Sequence, residues 1–173
     1  MTRRDTKMIV EPFGKISKDR YVSNIYHSEP ITLKFPVDAT TVISLHADNM
    51  TELKSCGASF RKFASIDMSY KDELEKHMFE FYTRVKQYET SSNRIVSIAS
   101  PNDIWKHITT NSMVIKIQDN SVYIQIELDC DWDAEHGMQI VYRDGDQLVR
   151  VGENDGNCVA DEYYRDEGVV DRI

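Results

Sequence analysis

The sequence predicts an α+β domain, an antiparallel β-sheet packed against two or three helices. Three observations carry this. Short β-prone runs come first, then amphipathic helical stripes, then a second β block. Val122 to Trp132 alternates strictly, with Val122, Ile124, Ile126, Leu128, Cys130 and Trp132 apolar and the residues between them mostly polar, the period of a strand with one buried face. Asp144-Gly145 sits between two β-prone runs, a strong hairpin signal. A chain of 173 residues is a natural length for one domain with a proper core. The expected division is a flexible arm at 1–11, one α+β domain at 12–152 and an acidic, partly ordered tail at 153–173.

Taken in order, residues 1–11 are mixed in charge and aperiodic. FGKIS and YVSNIY are short strand-like runs separated by the turn-like pair Lys18-Asp19. ITLKF alternates until Pro36, which has no N–H for a sheet ladder. TVISLHA at 41–47 completes an N-terminal strand meander. Leu53, Cys56, Phe60 and Phe63 recur at helical spacing, and Gly57 among them weakens that helix by roughly 1 kcal/mol relative to Ala. Ser69 offers the next helix an N-cap with Asp72 three residues on. Leu74, Met78, Phe81 and Val85, widened by Phe79 and Tyr82, form its stripe. ETSSNR at 89–94 reads as a polar loop and IVSIA at 95–99 as a short strand. Ser100-Pro101 starts a short helix that turns Ile104, Trp105 and Ile108 inward. MVIKIQ and the Val122 strand form one hairpin across Asp119-Asn120-Ser121, and GMQIVYR and QLVRVG form another. Consecutive hairpins, rather than βαβ units, set the topology.

The charge is uneven. The net charge is −8; residues 1–121 carry 17 Lys/Arg and 15 Asp/Glu, whereas residues 122–173 carry 4 and 14. An acidic third argues against nucleic acid and fits cation binding, docking to a basic partner or plain solvation. No apolar run reaches transmembrane length, so no membrane role is expected. The N-terminal twin arginine has no apolar region behind it, so no export signal is expected. Three cysteines make no disulfide framework and point to reduced thiols in the cytoplasm.

The candidate site is the acidic end of the alternating strand: Asp129, Asp131, Trp132, Asp133, Glu135, His136 and Gly137. Asp129, Asp131 and Asp133 are spaced like the opening of a calcium-binding EF-hand, but its sixth and twelfth positions would be Ala134 and Ile140 instead of Gly and Glu. Cys130, His136 and Cys158 lack zinc-ligand spacing, and Cys130 lies on the apolar face as a buried thiol. Glu135-His136 could act as an acid/base pair. The structural alternative ranks ahead of it: Gly137 takes a positive φ or a bulge, Glu135 and His136 hold the turn amides, and Trp132 anchors the core beneath. The isolated His27, His46, His77 and His107 are read as ordinary histidines. No P-loop, G-x-S-x-G, H-E-x-x-H or dinucleotide motif occurs.

At C-D-W-D-A-E-H-G (Cys130 to Gly137) and the hairpin ending Val151-Gly152, the chain resembles an uncharacterised bacterial domain family with a W-D-x-E-H-G motif in its C-terminal half. The resemblance covers most of the chain, from Phe13-Gly14 through the helices around Phe60 to Tyr82 and the closing sheet. It implies the fold, a setting near toxin and immunity loci, and no catalytic residues. The resulting expectation is a non-enzymatic, immunity-type interaction module. Its acidic C-terminal face would meet a basic protein such as a toxin, with no cofactor and no bound metal. The alternative is a metal-dependent or acid/base enzyme built on Asp131, Asp133, Glu135 and His136.

Overall fold

The computed structural model describes residues 7–36, 38–88, 96–159 and 169–170. Its centre is an eight-stranded sheet with helices on one face. The first strands are β1 (Lys7–Val10), β2 (Gly14–Lys18) and β3 (Ile25–Ser28), antiparallel in sequence order. Strand β1 falls inside the stretch read as a loose arm. Glu11-Pro12, which follow it, cross helix α1 (Met50–Ala64) at Gly57, where any Cβ would run into the Glu11 carbonyl. Gly57 thus costs helix propensity locally and lets the N-terminal strand lie against the core. Phe13 then packs on Phe60 at 5.2 Å between ring centroids.

The expected YVSNIY strand is half turn: Asp19 accepts the amides of Tyr21 and Val22 at 2.8 and 2.9 Å, and pairing begins only at Ile25. ITLKF and TVISLHA also divide. Strands β4 (Ile31–Leu33) and β5 (Ala39–Thr41) pair as a separate two-stranded sheet, and only β6 (Ile43–His46) joins the main one.

Helix α1 is capped by Asn49, whose side chain accepts the Glu52 amide at 3.0 Å, while the Glu52 carboxylate accepts the Asp48 amide at 2.7 Å. This reciprocal pairing satisfies amides the first turn leaves open. The second helix, α2 (Lys71–Tyr88), follows a 3₁₀ turn at Met68–Tyr70. Asp67 caps that turn by accepting the Ser69 amide at 2.8 Å, so the cap lies two residues before the expected Ser69. The buried stripe on α1 is the expected Leu53, Cys56, Phe60 and Phe63; on α2 Leu74, Met78 and Phe81 are buried as expected, Tyr82 joins them, and Val85 is only partly buried. No helix among the described residues is long and apolar enough to cross a membrane.

The ETSSNR loop and Ile95 lie outside the described residues. Val96–Ala99 belongs to no strand; instead the Tyr82 hydroxyl donates to the Val96 carbonyl and accepts the Ile98 amide, both at 2.9 Å. A side chain replaces the sheet partner that the IVSIA strand would have needed. The Ser100-Pro101 start leads into a 3₁₀ helix, Pro101–His107, and Ile108 already belongs to the next strand.

Strands β7 (Ile108–Gln118), β8 (Ser121–Cys130), β9 (Asp133–Arg143) and β10 (Gln147–Glu153) close the sheet as antiparallel neighbours. Strand β7 also pairs with β6, and that pair is parallel. Both helices lie in the crossover between them. One parallel connection therefore departs from the all-hairpin expectation, because a helical excursion returns the chain in the same direction. The even-numbered side of β8 joins the main core, with Val122, Ile124, Ile126, Leu128 and Cys130 all buried.

The odd-numbered side is not uniformly wet as expected: Tyr123 and Gln125 are buried too. Residues 154–159, from the stretch read as the tail, fold over it. Arg150 holds Asp155 through two hydrogen bonds of 2.8 and 2.9 Å. Gln139 donates to Asp155 and to the Asn157 carbonyl, and accepts from Gln125 at 2.7 Å. Lys116 donates to the Gly156 carbonyl at 2.7 Å. Burial alone would raise the Asp155 carboxyl, but hydrogen bonds from Arg150 and the Asn157 amide outweigh it and hold the group near 2. Buried polar groups on this face are thus satisfied by one another.

Candidate functional site

Antiparallel order brings four strand termini together: the starts of β7 and β9 and the ends of β8 and β10. The acidic residues of the motif gather at that end of the sheet. Glu127 and Asp129 project from the odd side of β8. Glu127 is half-buried and accepts the Ser112 hydroxyl; Asp129 is exposed and accepts the Asn111 amide at 3.1 Å. Both partners come from β7, one strand away, and neither was marked by the sequence pattern. The register of β7 and β8 shifts between Thr110 and Ser112, which sets these polar residues beside the carboxylates.

The strand ends two residues earlier than the alternation suggests. Asp131 and Trp132 form a turn, and β9 starts at Asp133. Asp131 keeps 59% of its side chain exposed, lies 3.0 Å from His107 Nδ1, and gives its own amide to the His107 carbonyl at 3.0 Å. The 3₁₀ helix before β7 therefore supplies the motif with an imidazole. Trp132 is only 4% exposed and meets Tyr82 of α2 edge-on at 5.5 Å, so it packs on the helix that carries Leu74, Met78 and Phe81, as its phase with the apolar side implies. Its indole N–H is buried with no hydrogen-bond partner among the described residues.

The turn is held in the reverse of the expected sense. Asp133, rather than Glu135 or His136, accepts the backbone: its carboxylate takes the His136 amide at 3.0 Å and the Glu135 amide at 3.3 Å. A short side chain two residues upstream reaches these amides as an Asx turn. Gly137 has φ +71, and a Cβ there would sit 2.5 Å from the Leu128 carbonyl. Register between β8 and β9 shifts at this point, so Gly137 forms the bulge that lets Asp133 to His136 loop out. Glu135 and His136 are thereby exposed. The His136 ring lies 3.4 Å from Asp133 and 3.7 Å from Glu153 at the end of β10.

The site is therefore a presented surface rather than a convergent pocket. Asp131 is turned to His107, Asp133 to its own loop, and among the described residues no group of three His, Cys, Asp or Glu side chains is placed to share a metal ion. Cys130 is buried, and burial pushes its thiol up to about 12, with neighbouring aspartates adding to the shift; it is a core thiol rather than a nucleophile. Cys56 is likewise buried and pushed up to about 12. None of Glu127, Asp129, Asp131, Asp133, Glu135 or Glu153 forms an ion pair with a lysine or arginine among the described residues; the basic side chains paired with Asp131, Asp133 and Glu153 there are His107 and His136.

The family described as a domain of unknown function (DUF6985) matches residues 12–158. The chain belongs to that family, and the match takes in both helices, the whole motif and the segment that folds back over the sheet. No curated protein and no solved structure matches it.

Proposed function

We propose that the protein is a non-enzymatic interaction module of immunity type, which docks the basic surface of a partner such as a toxin on the acidic end of its sheet. One observation carries the reading: six carboxylates lie at that end, and none forms an ion pair with a lysine or arginine among the described residues. Folded proteins usually intersperse both signs on their surfaces. A single-sign patch on rigid strands steers an oppositely charged partner and favours fast, salt-sensitive association. The resemblance to bacterial proteins found near toxin and immunity loci points the same way.

The test is retention of a partner by the immobilised protein from its native host. The triple variant Asp129→Asn, Asp131→Asn, Glu135→Gln serves as comparison, since all three side chains are exposed. A basic protein held at low salt, released at high salt and not held by the variant is the expected result. Retention by the variant equal to the parent's, or no partner at low salt, overturns the proposal.

A second reading has one observation in its favour: the His136 imidazole sits between two carboxylates, Asp133 and Glu153, as an acid/base group can. Calorimetric titration with Ca²⁺, Mg²⁺, Mn²⁺ and Zn²⁺ addresses the metal-dependent form of it. Micromolar binding lost on Asp133→Asn would establish that form, and a flat titration with all four ions would remove it.

A further inference from the structure

We infer that the opposite end of the same sheet carries a binding site for a small organic cation, a primary amine on an apolar body. A cavity of about 510 Å³ opens there, lined by residues 62–73 at the α1–α2 connection, by the β9–β10 hairpin and by Val169. Its size falls in the range of small-molecule sites. Three carboxylates line it, Asp67, Glu73 and Asp146, against one ammonium, Lys62. Ile66, Leu148 and Val169 supply an apolar wall.

The buried member is Tyr142. It is 3% exposed, with its ring wedged edge-on against Phe63 at 5.4 Å and Phe35 at 6.1 Å. The aromatic packing fixes the ring, yet the hydroxyl has no hydrogen-bond partner among the described residues and the side chain lines the cavity. The residue is buried but its hydroxyl is not sealed from solvent, and the open space that the side chain lines is the cavity. Burial, with the charge of Glu73 adding to it, raises the phenol above its ordinary value, so the group stays neutral and offers an oxygen that can accept. Glu73 itself makes no ion pair among the described residues. An ammonium placed between the exposed Glu73 and the Tyr142 oxygen would pair with the carboxylate and donate to the phenol, and the ligand's apolar body would lie on Ile66 and Leu148. An anion of the same shape would meet three carboxylates.

The experiment uses the full chain with two probes of matched shape and opposite charge, phenethylamine and phenylacetate. Binding is read by titration calorimetry, and location by amide resonance shifts. Saturable phenethylamine binding that shifts Ile66, Tyr70 and Leu148 is expected, with phenylacetate at least about tenfold weaker. Glu73→Gln should weaken phenethylamine about tenfold, in keeping with a lost charged hydrogen bond. Tyr142→Phe should weaken it by a smaller factor while the protein still melts like the parent. Asp131→Asn, at the far end of the sheet, should leave the affinity unchanged. Equal binding of both probes, affinity indifferent to Glu73→Gln, or no saturable phenethylamine binding overturns the inference.

Discussion

At the motif end of the C-terminal sheet Glu127, Asp129, Asp131 and Asp133 are met by groups from β7, from their own turn or from the residue just before β7, whereas the cavity at the other end draws on α1, the 3₁₀ turn, α2, β9, β10 and Val169. The first arrangement uses neighbours that hairpin register delivers automatically. The second exists only once the helices have docked on the sheet. The motif end is thus built to present charge on a stiff frame, and the cavity end to enclose. The contrast also separates structure from surface within the motif: Trp132, Asp133 and Gly137 shape the turn, while Asp129, Asp131, Glu135 and His136 stand out from it.

That separation can be broken by substitution. The largest effect belongs to Trp132→Ala, which empties the contact between the turn and Tyr82 and should cost about 3–5 kcal/mol in a denaturant melt. Gly137→Ala comes next. An L-residue at φ +71 facing the Leu128 carbonyl should cost about 2 kcal/mol from the left-handed conformation and more from the close approach; a melt unchanged from the parent would mean the bulge can relax.

Asp155 gives a pH-dependent effect on the other face. Its folded carboxyl is held near 2 and an unfolded one titrates near 4. Its contribution is therefore fully present above about pH 4 and is lost as pH falls toward about 2. Asp155→Asn should be less stable than the parent at neutral pH, with the gap closing across that window in melts taken from pH 7 to 2. The smallest effect is that of Asp131→Asn, exposed and paired only with an imidazole, which should change stability by less than about 0.5 kcal/mol.

Much of the fold was legible because its signals are periodic. Alternation in β8, the stripes of α1 and α2, and Asp144-Gly145 each depend on residues a few positions apart, and each is where those patterns place it. What stayed hidden depended on distant partners. The β1 strand carries only Met8, Ile9 and Val10 as signal; it is secured by β2 and by the close approach at Gly57. The parallel β6–β7 pair follows from where the helical excursion ends. The burial of Tyr123 and Gln125 needs residues 154–159, whose acidic composition suggested solvent rather than a cover over Arg150. In the motif, Trp132 and Gly137 were readable from phase and from glycine's conformational range. His107, Asn111 and Ser112 were not, since only the register across β7 and β8 brings them beside the carboxylates. Tyr142 looked like one more residue of a hairpin strand, and nothing local marked the cavity it lines.

The central claim, that the motif end is a docking surface for positive charge, is tested most directly by titrating the captured basic partner into the parent and into the triple variant Asp129→Asn, Asp131→Asn, Glu135→Gln at low and high salt. The account predicts affinity for the parent that falls steeply with salt, and weaker, nearly salt-independent affinity for the variant. Equal affinity and equal salt dependence in the two proteins would contradict it.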